Sequence, residues 1–460
     1  MRRIFGIETE YGIICAAPQG RPPIDAEQAA RRLFNPVVNR HRSSNVFLGN
    51  GGRLYLDVGA HPEYATAECD CLTDLLAQDI AGQEIFSDLV ATTNQQLAAD
   101  GINGQIHLFK NNRDSQGNSC GCHENYLLHR SADFMGMADA LIAFFITRQI
   151  LVGAGLIDEE GGYHFSQRAD KMYDPISAAT TRARPIINTR DEPLADSSEY
   201  RRMHVIVGDS NIGEATTALK VGMTIALLDA IDCSLNLADL AIADPMSAIR
   251  EINADLSGRA PLKLKAGGYL DAVEIQNRIY QRVINTLSDA GELEATRERI
   301  KVGDFDPLEL WERTLQCFQE EDFGAVNTEI DWVIKKNLLE QSAKRHQVPM
   351  NSAVISRLDL AYHDITAAGL APALKRAGLM RQLLTREEIA TAKTYPPCTT
   401  RANIRGKVLR EAERLRRDVS VDWLHVRIDE SKMPTVMLGD PFASEGEILD
   451  KLLLELQERA

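Results

Sequence analysis

The segment Gly6-Ile7-Glu8-Thr9-Glu10-Tyr11-Gly12 constrains this chain more than any other. Ile4–Ile14 is short and rich in β-formers, and in a strand successive side chains alternate between faces. Glu8 and Glu10 therefore project to one side while Ile7, Thr9 and Tyr11 take the other. Two neighbouring carboxylates repel. They persist on a solvated edge, or where a divalent cation sits between them, and hard oxygen ligands of this kind suit Mg²⁺. The same alternation recurs in Arg53-Leu54-Tyr55-Leu56-Asp57-Val58, with Leu54, Leu56 and Val58 on an apolar face and Arg53, Tyr55 and Asp57 on a polar one. That polar face is either an exposed sheet surface with a cross-strand ion pair, or a site in which Arg53 meets a phosphate, Tyr55 lies near a metal and Asp57 is a base. His61-Pro62-Glu63-Tyr64-Ala65-Thr66 follows as a Pro-directed turn that adds a further carboxylate and a hydroxyl.

Helical period runs over Ala26–Phe34 and Asp74–Leu97, alternation over Gln105–Lys110, a polar loop over Asn111–Cys122, and a long apolar helix from Ser131 to Val152. A Gly- and acid-rich turn at Gly153–Tyr163 precedes strands at Arg184–Ile187 and Met203–Val207, and Glu214–Ala392 is mostly helical. The apolar stretches Ala138–Gly155 and Ala215–Ala243 are broken by Asp139, Arg148, Lys220, Asp229 and Asp232, which makes them core helices rather than membrane spans. At Tyr395-Pro396-Pro397, paired prolines end a helix and stiffen a connector. The expected division is a large unit over residues 1–395 and a small C-terminal unit over 396–460, the latter holding a basic helix, a β-rich stretch at Val419–Ile428 and a terminal helix at Gly446–Glu458.

Charge and cysteine usage narrow the partners. Lys and Arg number 51 against 66 Asp and Glu, and a net charge of −15 repels a phosphate backbone, so nucleic acid is not an expected partner. The first residues are basic but lead into no apolar stretch, and eight Cys without an export signal point to reduced cytoplasmic thiols.

Other motifs carry weaker signals. Gly208-Asp209-Ser210-Asn211-Ile212-Gly213 has the glycine spacing of a phosphate loop, but Glu214-Ala215 stands where Lys-Ser or Lys-Thr is required. Cys69-Asp70-Cys71 and Cys120-Gly121-Cys122-His123 are C-x-C pairs, whereas structural zinc sites space paired cysteines more widely; small packed thiols are the plainer reading, and a nucleophilic Cys beside His123 or His204 the other. Arg182, Arg184, Arg190, Arg201 and Arg202 could clamp phosphoryl oxygens or form surface ion pairs, and His204 is a metal ligand or a core histidine. Arg401–Asp418 carries seven basic residues against three acids, a solvated helix face or a receptor for an acidic polypeptide. Trp423 packs in a core or stacks on a purine.

Taken together, Gly6–Gly12, Arg53–Gly59, His61–Asp70, Cys122–Leu127, Arg184–Pro193, Tyr200–Asp209, Thr328–Lys336 and Val421-Asp422-Trp423 closely resemble the Pup ligases, the proteasome accessory factor A family. The resemblance spans nearly the whole chain. It implies an α+β fold of the glutamine synthetase-like kind, with a large domain of curved, mainly antiparallel sheet packed against helices and a small C-terminal α/β domain. Enzymes of this family use ATP to join the side-chain carboxylate of the C-terminal glutamate of Pup, an acidic and largely disordered tag, to a lysine of a target protein. By the same resemblance Glu8, Tyr55 and Glu63 match magnesium-site positions, Arg53, Thr66 and Trp423 match ATP-contacting ones, and Asp57 matches the catalytic base. Glu10 and His204 fit the metal cluster chemically.

Two other functions compete. The sister depupylase/deamidase carries a long insertion between the Glu8-Thr9-Glu10 region and the Arg53 strand, whereas here only Tyr11–Gly52 intervenes. A non-catalytic binder would hold acidic peptides on the basic C-terminal helix. Cys15, Cys71, Cys120, Cys122 and Phe5 are not required by the family pattern, so they bear on redox behaviour rather than on the reaction.

Overall fold

The alternation that opens the chain becomes the middle of a sheet. The computed structural model describes residues 2–458 except 19, 58, 115, 116, 118, 131–133, 179–183, 191, 193 and 430; Val58, Ser131, Arg182, Asp191 and Pro193 thus lie outside the described residues. Eight strands form the main sheet: β1 (Phe5–Glu10), β2 (Asn45–Phe47), β3 (Arg53–Leu56), β4 (Pro62–Ala65), β5 (Cys122–His129), β6 (Asp174–Ser177), β7 (Pro185–Asn188) and β8 (Tyr200–Val205). Their order is β6-β7-β8-β5-β1-β4-β3-β2; β6 and β7 run parallel and every other neighbouring pair antiparallel. This mixed, mainly antiparallel sheet with helices against it is the expected α+β architecture.

One face of the sheet is apolar and covered. Phe5 and Ile7 of β1, Tyr126 and Leu128 of β5, and Met203 and Val205 of β8 join one core with residues of helices Leu72–Ala99, Phe134–Thr147 and Glu214–Asp232. Glu214–Ala230 is buried on every side, and its acids are paired with cations: Asp229 with Arg299 and, at 3.5 Å, with Arg3, and Glu214 with Lys375, while Lys220 donates to the Asp209 carbonyl at 2.7 Å. A buried helix must neutralise its charges this way. Among the described residues no helix is long and apolar enough to cross a membrane. The apolar run ending at Val152 is two helices, Phe134–Thr147 and Gln149–Val152, rather than one.

The largest departure from the sequence reading is at His61–Thr66, which is not a turn but contains β4, between β1 and β3. Pro62 opens the strand, the place where a missing N–H does least harm. Tyr64 fixes the strand to the helix behind it, accepting from Asn50 at 2.9 Å and donating to Gln78 at 3.2 Å. Its ring lies against Gly82 of helix Leu72–Ala99, where a Cβ would stand 2.3 Å from Tyr64 Cδ1. In an ordinary helix, Gly→Ala stabilises by up to ~1 kcal/mol. Here Gly82→Ala overpacks the contact and is expected to destabilise by ~1–3 kcal/mol, read as a lower urea midpoint.

The C-terminal residues build a separate small core. Strands Val419–Val421, His425–Ile428 and Val436–Met437 form a three-stranded sheet, and Ile404, Val408, Val426, Ile428, Leu449 and Leu452 pack with helices Ala402–Leu415 and Glu447–Gln457. Arginines of the basic helix hold this unit against the larger one. Arg401 and Arg405 are buried and both donate to the Glu68 carboxylate, each at 2.8 Å to Oε1, and Arg410 donates to the Gly49 carbonyl. This part of the basic run is therefore neither a solvated face nor a peptide receptor. Burial alone would raise the Glu68 carboxyl; the charges and hydrogen bonds of Arg405 and Arg401 outweigh it and hold it at about 2. A depressed carboxyl contributes stability above its ordinary value of 4.5, and that contribution is lost as pH falls toward about 2. Urea midpoints measured across that window are expected to fall more for the native chain than for Glu68→Gln, which at neutral pH is already weaker by ~3–5 kcal/mol.

Candidate active site

The opposite face of the sheet is polar and lies half-buried. Register sets its layout: Glu10 pairs with Glu63 and Glu63 with Tyr55 in one row, Glu8 with Ala65 and Ala65 with Arg53 in the next. On the other side of β1, Glu8 pairs with His123, and Asn125 pairs with His204. Since pleating keeps alternate residues on one face, Glu8, Glu10, Glu63, Tyr55, Arg53, His123, Asn125 and His204 share this surface.

Asp57 reaches the group by a different route from the one its alternation suggested. β3 ends at Leu56, and Asp57 stands exposed in the turn after it. The Ala60 N–H donates to the Asp57 carbonyl and the Asp57 N–H to the His61 carbonyl, both at 3.0 Å, and Gly59 and Ala60 take positive φ of 93° and 62° to reverse the chain. The turn leaves donor oxygens of Asp57, Glu10 and Glu63 within 4.8 Å of one another. Glu8, His123 and His204 form a second such group.

The electrostatics follow from crowding. Glu63 is buried and is pushed well above the carboxylate range, by burial first and then by the charges of Glu8 and Glu10. Burial also raises Tyr55, with Glu8 and Glu63 adding to it. Glu8 and Glu10 are each held at about 2 although burial opposes this: His123, His204 and Arg202 outweigh it at Glu8, and chiefly His61 and His123 at Glu10. The contacts are His123 Nδ1 to Glu8 at 3.5 Å, Arg202 to Glu8 at 3.9 Å and His61 Nδ1 to Glu10 at 3.4 Å. Burial lowers His204 to about 3, so its imidazole is neutral, and its buried Nε2 has no hydrogen-bond partner among the described residues.

A cleft leads from Glu8 along Gly6, Thr66 and Arg202 to Trp423. Gly6 and Thr66 meet at its floor, where the Thr66 hydroxyl accepts the Ile7 N–H at 3.1 Å and a Cβ on Gly6 would stand 3.1 Å from that oxygen. Trp423 is half-buried and belongs to no apolar cluster among the described residues. Phe47 meets its ring edge-on at 4.9 Å, and Arg405 lies 5.2 Å from the ring. Arg53 donates to Asn45 at 2.7 Å and lies 4.5 Å over the Tyr55 ring.

The remaining motifs resolve differently. At Gly208–Gly213 a carboxylate occupies the position a phosphate would take, since the Ile212 and Gly213 N–H groups both donate to Asp331 at 2.9 Å. Cys69 and Cys120 are buried, and burial raises both thiols, Cys120 to about 12, which removes the thiolate a nucleophile needs. Of the arginines, Arg202 reaches Glu8, whereas Arg190 pairs with Glu192 at 2.6 Å. Sequence reasoning missed His61 and Asn125 and read His123 only beside the cysteines, in a zinc pair or as a partner for a thiol. The alternation of Cys122-His123-Glu124-Asn125-Tyr126-Leu127 was the available signal, because it puts His123 and Asn125 on one face of β5.

Comparison with known proteins points the same way. The sequence profile of the Pup-ligase protein family matches residues 3–427. The Pup–protein ligase of Sanguibacter keddieii is 47% identical over 456 residues, covering 98% of this chain and 99% of the relative, and that of Mycolicibacterium smegmatis is 46% identical over 459 residues, covering 99% and 100%. The crystal structure of the complex between prokaryotic ubiquitin-like protein Pup and its ligase PafA superposes with a TM-score of 0.92 at 40% identity, covering 100% of this chain and 92% of that one. The structure of the Pup ligase PafA in complex with ADP gives 0.84 at 41% identity, with 95% of each chain covered. Identity at this level over the full length, on the same fold, establishes that the chain belongs to the Pup ligase family.

Proposed function

We propose that the polar face of the sheet is where this Pup ligase activates the tag and transfers it. The reaction is ATP-dependent formation of an isopeptide bond between the side-chain carboxylate of the tag's C-terminal glutamate and a lysine of an acceptor protein. A carboxylate does not condense with an amine near neutral pH, so the γ-phosphoryl group of ATP first passes to the glutamate oxygen, giving an acyl phosphate and ADP. The lysine amine then attacks the acyl carbon, and inorganic phosphate leaves.

Each residue has a task in that sequence. The cleft from Glu8 to Trp423 takes the nucleotide, with Trp423 against the base, Thr66 along the floor and Arg53 toward the phosphates. The ammonium of the incoming lysine, with a reference pKa near 10.4, costs ~4.6 kcal/mol to deprotonate at pH 7. Asp57, exposed at the mouth of the acidic group, accepts that proton. Glu8, Tyr55, Glu63, Glu10 and His204 would hold Mg²⁺. The donor set fits: carboxylate oxygens within 4.8 Å of one another, a Glu63 carboxyl that burial and then its neighbours' charges push well above the carboxylate range, and an unpartnered imidazole nitrogen at His204. When bound, the cation supplies positive charge against the phosphoryl oxygens.

The convergence of Asp57, Glu10 and Glu63 beside a cleft that ends at Trp423 is the observation that carries this reading. Residues 12–16 and 26–41 form a strand and a helix, so the segment between Glu10 and Arg53 is short and folded, which favours ligation over depupylation. The division at residue 395 belongs to the same proposal and is supported by the separate core around Ile404 and Val426. The test is a single half-reaction. With ATP, Mg²⁺ and a Glu-ended tag but no acceptor, hydroxylamine should trap a tag hydroxamate with release of ADP, and ADP release without hydroxamate would refute tag activation.

A further inference from the structure

Glu10 belongs to two groups of different chemical softness. With Asp57 and Glu63 it forms an all-oxygen set, and with His61 and Cys120 a mixed set whose oxygen, nitrogen and sulfur atoms also lie within 4.8 Å of one another. The second set has no task in tag activation. Cys120 is 2% exposed, and its Sγ makes no hydrogen bond among the described residues. Its backbone is nonetheless fixed: the N–H donates to the Asn112 carbonyl at 3.2 Å, and the carbonyl accepts from Asn112 at 3.1 Å and from Arg168. The next residue's carbonyl accepts the Glu10 N–H at 3.0 Å, which ties the thiol's loop to the carboxylate's strand. A buried, unpartnered thiol is thus held toward a carboxylate and an imidazole at the rim of the proposed magnesium group.

Ligand chemistry separates the two sets. Mg²⁺ takes oxygen donors and refuses sulfur, whereas ions of the zinc class take thiolate, imidazole and carboxylate together, often as three protein ligands with a fourth position open. Bond lengths of ~2.0–2.3 Å in a tetrahedron put ligand atoms ~3.3–3.8 Å apart, and His61 Nδ1 already stands 3.4 Å from Glu10. We propose that Glu10, His61 and Cys120 form a site for a thiophilic divalent cation such as Zn²⁺, and that filling it inhibits the ligase by drawing Glu10 from the all-oxygen group. The inhibitory half rests on the magnesium role proposed above; the site itself does not. Binding displaces one proton from the Cys120 thiol to solvent, and the resulting thiolate and Glu10 balance the ion's charge.

Co²⁺ is the probe, because cobalt bound by a thiolate absorbs in the near ultraviolet through ligand-to-metal charge transfer. The full chain carries C398S throughout, which removes the exposed thiol as a competing ligand. One equivalent of Co²⁺ per chain should produce the band, Zn²⁺ should abolish it by displacement, and saturating Mg²⁺ should leave it in place. C120S, and C120A, which buries no new hydroxyl, should lose the band, while C122S keeps it. In ligation assays at saturating Mg²⁺, the C120 variants should need at least ~10-fold more Zn²⁺ for half inhibition and otherwise turn over as the parent does. Absence of the band, or its survival in both C120 variants, overturns the site. Unchanged zinc sensitivity in those variants overturns the inhibitory role. A cobalt band in a chain that forms no isopeptide bond would refute the ligase reading and leave the metal site standing.

Discussion

Asp57→Asn is expected to lower isopeptide formation by ~10²–10⁴-fold, the range over which a positioned general base acts, while the protein stays folded and binds nucleotide as before. The fold predicts the tolerance. Asp57 is exposed in a turn held by backbone hydrogen bonds, so changing its side chain disturbs no core contact and should shift stability by less than ~0.5 kcal/mol. The chemistry predicts the loss, because Asn cannot take the lysine proton. The two steps of the reaction separate the possibilities: hydroxamate formation from tag and ATP should survive in Asp57→Asn, while transfer to lysine fails. Raising the pH, which supplies more neutral amine, should recover part of the variant's transfer rate. A variant that loses both steps equally would assign Asp57 to the cation group rather than to the base.

Glu63→Gln should remove at least ~10²-fold of activity, since ~2.7 kcal/mol is a hundredfold in rate and a cation held on the phosphoryl oxygens supplies several kcal/mol. The same substitution should make the metal-free protein more stable. Glu63 is 3% exposed, opposite Glu10 and Tyr55 in the register and flanked by Asp57 and Glu8, so an uncharged isostere relieves a cost of burial and repulsion that the Tyr55 hydrogen bond only partly offsets. Mg²⁺ should raise the melting temperature of the native chain by mass action and do so far less for Glu63→Gln. Lower activity together with higher metal-free stability distinguishes a site carboxylate from a structural one, whose loss would lower both. If Mg²⁺ stabilised both proteins equally, the cation would have to be held elsewhere.

What the sequence revealed depended on whether a strand had one polar face. β1 and the Arg53 strand were legible because charged and apolar residues alternate along them, and a period of two admits only one arrangement. β4 was not, because every residue from Pro62 to Ala65 is buried and a buried glutamate between a proline and a tyrosine carries no alternation to read. The helix Ala26–His41 runs past Phe34 through Pro36, where the sequence signal for a helix stops. The union of Glu68 with Arg401 and Arg405 was invisible for another reason: the partners are 333 and 337 residues apart, and charges in a helix read as solvated until the fold shows what lies against them. The residues expected from the family likeness, Glu8, Arg53, Tyr55, Asp57, Glu63, Thr66 and Trp423, and the two expected on chemical grounds, Glu10 and His204, stand on or beside one face and cleft, and tertiary structure places His61, His123 and Asn125 beside them.

The most direct test of the central claim is mass spectrometry of the chain incubated with ATP, Mg²⁺, a Glu-ended tag and a lysine-bearing acceptor. The expected product is a conjugate lighter by one water than tag plus acceptor, linked through the glutamate side chain, with one ADP formed per bond, and with conjugate reduced at least ~10²-fold in Asp57→Asn and in Glu63→Gln. Conjugate formed without ATP, or undiminished in both variants, would contradict it.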